Sequence, residues 1–311
     1  MRIGTAVAIR GPLPDVREQA ALVDALGYDS IWIPEVAGRD ALVACAALAG
    51  DVERARLATG IVPLPARSPV TLAMGAATVA EVTGGRFVLG VGAGHRETAA
   101  AWLGRRALRV DEVAEHLEVL RAVLHDGRVQ RAAGASLPEL DFTLRGVQPA
   151  PATPIVLAAL GPRTAALAGA LADGLVANWA TPAQVERLAG WAREAATAGG
   201  RDPDALEIAC YVPACVGPPA EARAELARQL DAYGRLDAYR RVLVAAGLDA
   251  DDRSPAALDA LGAHGDADAV RARLDDYRAA GATLVVLAPY PVGDDPWASM
   301  AETWAALAPD A

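Results

Sequence analysis

The sequence predicts an α/β fold of one particular kind, a (β/α)8 TIM barrel with insertions. Three observations carry that expectation. Short apolar runs alternate with longer helical patterns from one end of the chain to the other. Nearly all of those runs are too continuously apolar to leave a face in water, as parallel strands covered on both sides are. At 311 residues, 53% hydrophobic and 22% charged, the chain can bury one large barrel. Two ordinary domains or a doubly wound open sheet is the alternative.

Taken in order, "RIGTAVAI" (2–9) reads as the first strand, before a helix over 15–26 that Gly27 stops. "DSIWIP" (29–34) and a helix near 40–50 follow. "ARLATGIV" (55–62) leads into a helix over 69–82 that Gly84 and Gly85 terminate, and the fourth strand is 86–92. After a helix over 110–125 the alternation lapses through a Pro- and Gly-rich insertion near 128–153 with room for a hairpin. It resumes with "PIVLAAL" (154–160), a helix over 163–172, "GLVANW" (174–179), a helix over 182–198, "LEIACYVPACV" (206–216) and a helical region from 219 to about 246. A second insertion is expected near 248–266, then a helix over 267–280, the strand "TLVVLAP" (283–289) and a last helix over 296–307. The whole of 1–311 thus reads as one barrel domain.

Composition removes several kinds of function. All 29 basic residues are arginine, so Schiff-base chemistry, a lysine general base and the P-loop lysine are unavailable. A net charge of −10 opposes the clustered cations that a nucleic-acid surface needs, and points to a small-molecule partner. Cys45, Cys210 and Cys215 form no C-x-x-C pair and read as reduced core residues. The first residues enter a strand directly, without a signal-peptide progression, and the longest apolar region is broken by Arg163 and Asp173, so no membrane span and a cytoplasmic location are expected.

In a parallel barrel the ligand site lies at the C-terminal ends of the strands, which selects Glu35, Gly60 with Ile61, Gly92 to Arg96, Gly161 to Thr164, Asn178 with Trp179, and Tyr290. Gly90, Gly92 and Gly94 alternate in "VLGVGAGH", but His95 stands where the dinucleotide fingerprint needs its third glycine. Bare backbone there accommodates a flat ligand or tight helix-strand packing. Gly161 and Pro162 open a helix beside Arg163, which is an anion site suited to one phosphate or an ordinary strand-to-helix turn. Glu35 ends "SIWIPE", placed to orient a cofactor ring, to act as acid or base, or to pair with Arg39 at the rim. Of four histidines only His95 falls at a strand end; His116, His125 and His264 read as structural or solvated. No metal-ligand spacing and no nucleophile elbow appear.

The residues "LATGIVPLPARSPVTLAMGAATVAEVTGGRFVLGVGAGH" (57–95) closely resemble the luciferase-like monooxygenase superfamily, particularly its coenzyme F420-dependent oxidoreductase branch. "DALGYDSIWIPE" and "PIVLAALGPRTAALAGALADGLV" extend the likeness to nearly the whole chain. The resemblance implies a bacterial luciferase-like barrel, usually a homodimer, holding a deazaflavin or FMN at the C-terminal face. It also implies a non-prolyl cis peptide at the end of the third strand, here Gly60-Ile61. Carried over, Gly92, Ala93, Gly94 and His95 border the ring and its ribityl chain; Leu160, Gly161, Pro162, Arg163 and Thr164 hold the phosphate; Asn178 edges the site. Many relatives follow the acid after strand two with histidine, whereas Glu35 is followed by Val36; in others a carboxylate stands where this chain has Ala93. Glu35 and His95 are then the catalytic candidates.

The leading expectation is an F420-dependent oxidoreductase that moves a hydride between the deazaflavin and a small organic substrate, with Arg39, Arg67, Arg96 and Arg163 near the anionic tail. An FMN-dependent two-component monooxygenase with a partner flavin reductase is the alternative, and a non-catalytic flavin-binding protein a lesser one. The substrate is set by the insertions and by scattered aromatics such as Trp102, Trp179, Tyr211 and Tyr290.

Overall fold

The computed structural model describes residues 2–7, 11–147 and 152–309. Its eight core strands are β1 (Arg2–Ala6), β2 (Ser30–Ile33), β3 (Arg56–Thr59), β4 (Phe87–Gly92), β5 (Ile155–Ala158), β6 (Gly174–Asn178), β7 (Glu207–Val216) and β8 (Leu284–Pro289). Each pairs in parallel with the next, and β8 returns to β1 with Arg2 opposite Leu284 and Thr5 opposite Leu287. The sheet therefore closes into a (β/α)8 barrel, which leaves the barrel strands no free edge.

Side chains alternate across these strands. Trp32, Ala58, Val88, Val156, Val176, Ala209, Tyr211, Leu284 and Val286 fill the barrel interior, while residues such as Ile31, Leu57, Leu89 and Leu175 pack outward under the helices. The helix ends follow from local chemistry: Asp40 accepts from the N–H groups of Leu42 and Val43, Ser68 from Thr71, and Asp266 from Ala269.

Three segments lie outside the regular alternation. Residues 128–143 form an antiparallel hairpin, Arg128–Arg131 with Leu140–Thr143; the last part of the insertion expected there, 148–151, lies outside the described residues, as do positions 8 and 9 of the first expected strand. A short helix, Arg96–Leu103, follows β4 between the strand and the helix over 110–125, where no element is expected from the sequence. The helical region expected over 219–246 is two helices, Pro219–Tyr233 and Asp237–Ala245, because the chain turns at Gly234 and is extended at Leu236. With Pro255–Leu261 these helices build a second apolar cluster that takes in Trp179 and Tyr290 from the ends of β6 and β8.

The N-terminal end of the barrel is held by paired charge. Arg56 bonds Asp29 at 2.7 Å and Glu207 at 2.9 Å, and Arg2 reaches Glu207 at 2.9 Å. Asp173 takes Arg121 at 3.1 Å, Arg201 at 3.3 Å and the N–H of Ile155 at 2.9 Å. Asp24 collects the N–H groups of Glu53, Arg54 and Ala55; burial disfavours its charge, but these donors outweigh burial and keep it below the usual carboxylate range. No helix among the described residues is long and apolar enough to cross a membrane.

Candidate functional site

The C-terminal mouth is assembled by glycines and small residues at the strand ends. The Gly60-Ile61 peptide after β3 is cis. A Cβ on Gly60 would run into the Tyr211 hydroxyl, and Tyr211 meets Trp32 edge to face at 5.8 Å, so both rings lie beneath this bend on the barrel floor. Gly92 faces Ile61 and Ala158, where a Cβ would come within 3.0 and 3.1 Å of them. Gly94 has φ of 74°, a conformation that explains its identity by itself, and it leads into His95.

Gly90 is different. A Cβ there would collide with the backbone carbonyl of Thr59, whose hydroxyl both donates to Gly90 O at 2.8 Å and accepts from Gly90 N at 2.9 Å. The glycine makes room for a strand-strand contact, so its bareness belongs to packing and not to a ligand.

Glu35 sits at the end of β2 with both oxygens engaged. Arg67 grips it in bidentate fashion at 2.7 and 2.9 Å, and the N–H of Ala41 donates at 3.0 Å. Arg67 also pairs with Asp40. The expected rim partner, Arg39, instead donates to the carbonyl of Gly11 at 2.6 Å. Glu35 is thus a clasp between the β2 end and the loop after β3, because the guanidinium that meets it comes from the segment after the cis bend. Val36, where many relatives have histidine, is 51% exposed.

On the next side of the mouth, Gly161 opens the helix Pro162–Leu171 in extended conformation, and nothing lies within 4 Å of where its Cβ would be. Thr164 donates its hydroxyl back to Gly161 O at 3.1 Å. Arg163 is exposed and has no hydrogen-bond or ion-pair partner among the described residues. Arg96 is drawn to Asp237 at 3.3 Å and Arg67 is committed to acids, so Arg163 is the cation of the expected four that is left open.

His95 and Asn178 flank that turn from β4 and β6. The Asn178 side-chain amide donates to the Tyr239 hydroxyl at 2.8 Å, and the His95 ring lies 5.2 Å from the Tyr239 ring. Tyr233 meets Tyr239 at 4.8 Å and Trp179 at 4.9 Å, extending an aromatic wall from the excursion after β7. Trp179 takes φ of 54°, a left-handed turn uncommon for a bulky residue, immediately after Asn178. Burial lowers the His95 pKa, with Glu97 opposing, so the ring is held toward its neutral form. Tyr233 and Tyr239 were missed in the sequence because they fall in a helical pattern with no strand end near them. Trp102 is half exposed on the helix after β4, and Tyr290 is buried in the second apolar cluster.

A closed parallel barrel with bare, half-exposed backbone at the C-terminal strand ends is the architecture of a barrel enzyme. The sequence profile of the luciferase-like monooxygenase family matches residues 1–284, and the chain belongs to that family. A putative coenzyme F420-dependent oxidoreductase of Mycobacterium tuberculosis is 29% identical over 208 residues, 62% of this chain and 59% of its own length. The chain thus spans about three fifths of the length of the curated relatives it matches. An F420-dependent secondary alcohol dehydrogenase, solved with an F420-acetone adduct, superposes with a TM-score of 0.82 at 21% identity, covering 98% of both chains. The oxygenating constituent of 3,6-diketocamphane monooxygenase from Pseudomonas putida, solved with FMN, gives 0.74 at 19% identity, covering 99% of this chain and 96% of that one. These structural likenesses establish the fold.

Proposed function

We propose that this protein is an F420-dependent oxidoreductase that transfers a hydride between the deazaflavin and a small organic substrate at the barrel mouth. The observation that carries this reading is the turn at Gly161: an open cradle at a helix N-terminus, with the uncommitted Arg163, set between the bare β4 end and Asn178. Those residues fit a phosphate-bearing cofactor. Gly161 to Thr164 and Leu160 would hold the phosphate, Gly60, Ile61 and Gly92 to His95 would lie along the ring and its chain, and Asn178 would meet an edge. When bound, F420 supplies the hydride chemistry. The choice of F420 over FMN rests on the relatives, since the cradle suits either phosphate.

The residues around it would position and shield. Glu35, held by Arg67 and by the N–H of Ala41, would fix the β2 loop against the cis bend. His95, kept toward neutrality by burial, is a group at the mouth able to donate or accept a proton near pH 7. The aromatic wall excludes water from one side.

Parallel fluorescence titrations with F420 and with FMN at fixed salt test the proposal. Micromolar binding of F420 without binding of FMN is the expected outcome. Binding of FMN alone would replace this reading with that of an oxygenase served by a flavin reductase, which the FMN-bound structural neighbour favours.

A further inference from the structure

Tyr239 belongs to neither the barrel nor the strand-end motifs, yet it touches two of the residues assigned to the mouth. It sits in the first turn of the helix Asp237–Ala245, is 5% exposed, and arrives from an excursion that leaves the barrel after β7. Its hydroxyl accepts from the Asn178 amide at 2.8 Å, and its ring faces His95 at 5.2 Å. Tyr233 braces it edge to face at 4.8 Å, with the planes at 85°, and Trp179 backs Tyr233. Two residues before Tyr239, Asp237 pairs with Arg96, the residue after His95, at 3.3 Å. The ends of β4 and β6 are therefore joined across the β5 turn by one helix through a hydrogen bond, a ring contact and an ion pair.

These contacts have a chemical consequence. One N–H of the Asn178 carboxamide goes to Tyr239, which fixes the amide plane and leaves Oδ1, with no partner among the described residues, as an acceptor beside the second N–H. The Tyr239 ring removes water from one face of His95. Among the groups near that histidine are Glu97 on its own helix, which bears on its charge, the Tyr239 ring with Tyr233 behind it, and the Arg96–Asp237 pair one residue on.

We propose that Tyr239 is a positioning residue of the mouth, orienting the Asn178 carboxamide toward bound cofactor through its hydroxyl and holding His95 through its ring. The cofactor half of this inference rests on the function proposed above, and the histidine half does not.

Two variants and two readouts separate the roles. Tyr239→Phe keeps the ring and loses the hydroxyl; it should weaken F420 binding about fivefold. In a double-mutant cycle, Tyr239→Phe should add nothing once Asn178 is alanine, because the hydroxyl acts through that side chain. An equal weakening with or without Asn178 would overturn the positioning role. In the ligand-free protein, the His95 ring protons followed by NMR against pH should titrate below the ordinary value of about 6.5 in the wild type and in Tyr239→Phe, and move toward it in Tyr239→Leu. A His95 midpoint unchanged in Tyr239→Leu would remove the ring's role. If the wild type binds neither F420 nor FMN, the cofactor reading fails, and the ligand-free titration decides Tyr239 by itself.

Discussion

At the base of the barrel Arg56 is held between Asp29 and Glu207 at 2.7 and 2.9 Å, whereas at the mouth Arg163 projects from a helix start with no partner among the described residues. The same residue type does opposite work at the two ends. The base closes its charges on one another, on Asp173 and on Asp24, and so ties strands and loops together. The mouth pairs charge in the Glu35–Arg67–Asp40 clasp and the exposed Arg96–Asp237 pair, and around Arg163 presents glycine, alanine and aromatic surface. A barrel divides stability from chemistry in this way because its strands run all in one direction, leaving the loops at their C-terminal ends free to vary.

Two glycines sharpen the comparison most. Gly90 and Gly161 look equally bare, but a Cβ on Gly90 meets the fixed carbonyl of Thr59, while a Cβ on Gly161 meets nothing within 4 Å. Gly90→Ala should cost about 3 kcal/mol by chemical denaturation, since backbone cannot step aside as a side chain can. Gly161→Ala should stay within about 0.5 kcal/mol of the wild type and show its effect in cofactor affinity. Equal stability losses at both sites would mean that the turn after β5 is packed as tightly as the sheet.

The paired arginines give the next largest contrast. Arg56→Ala leaves Glu207 and Asp29 in a partly buried setting with Arg2 as their remaining cation and should lower stability by about 2 kcal/mol, discounted from the fully buried case because the Arg56 side chain is 25% exposed, with F420 affinity unchanged. Arg163→Ala should do the reverse, leaving the denaturation midpoint in place and weakening F420 binding about tenfold. Unchanged affinity would take the phosphate away from this turn.

How much of this the sequence discloses follows the same division. The barrel is legible because each strand is a local apolar run and each helix a local period, so Ile31 or Leu89 declares its burial from its neighbours. The cis Gly60-Ile61 bend and the Gly161 turn are legible because they sit at strand ends in a resembling motif. The clasp is not, because Arg67 lies 32 positions beyond Glu35 and nothing nearer marks it as the partner in preference to Arg39. Tyr239, 61 positions from Asn178, is hidden for the same reason, inside a helical region whose break at Gly234 the period does not announce. Gly90 and Gly92 are indistinguishable in one dimension, since only the fold decides that one of them meets the Thr59 backbone and the other the side chains of Ile61 and Ala158. Local pattern writes the scaffold, and contacts between distant segments write the site.

The smallest effect probes the join between the two regions. The helix after β4 reaches the barrel wall through the loop 104–109, and Glu112 anchors that loop by accepting from Arg106 at 2.6 and 2.5 Å and from the N–H of Arg109 at 2.8 Å. The Arg106 hydrogen bonds lead in pulling the Glu112 carboxyl down to about 2, from the ordinary 4.5. A carboxyl depressed on folding contributes stability that is fully present above its unfolded value and is lost as pH falls through the folded one. Arg106 is 61% exposed, so water and salt screen the pair, and Glu112→Gln should cost about 1 kcal/mol at pH 7. The gap between variant and wild type should narrow below about pH 4.5 and close near pH 2, and F420 affinity at pH 7 should not move. A gap that stays constant through this window would show that Glu112 acts by shape, and a loss of affinity would show that the loop transmits to the mouth what the base keeps to itself.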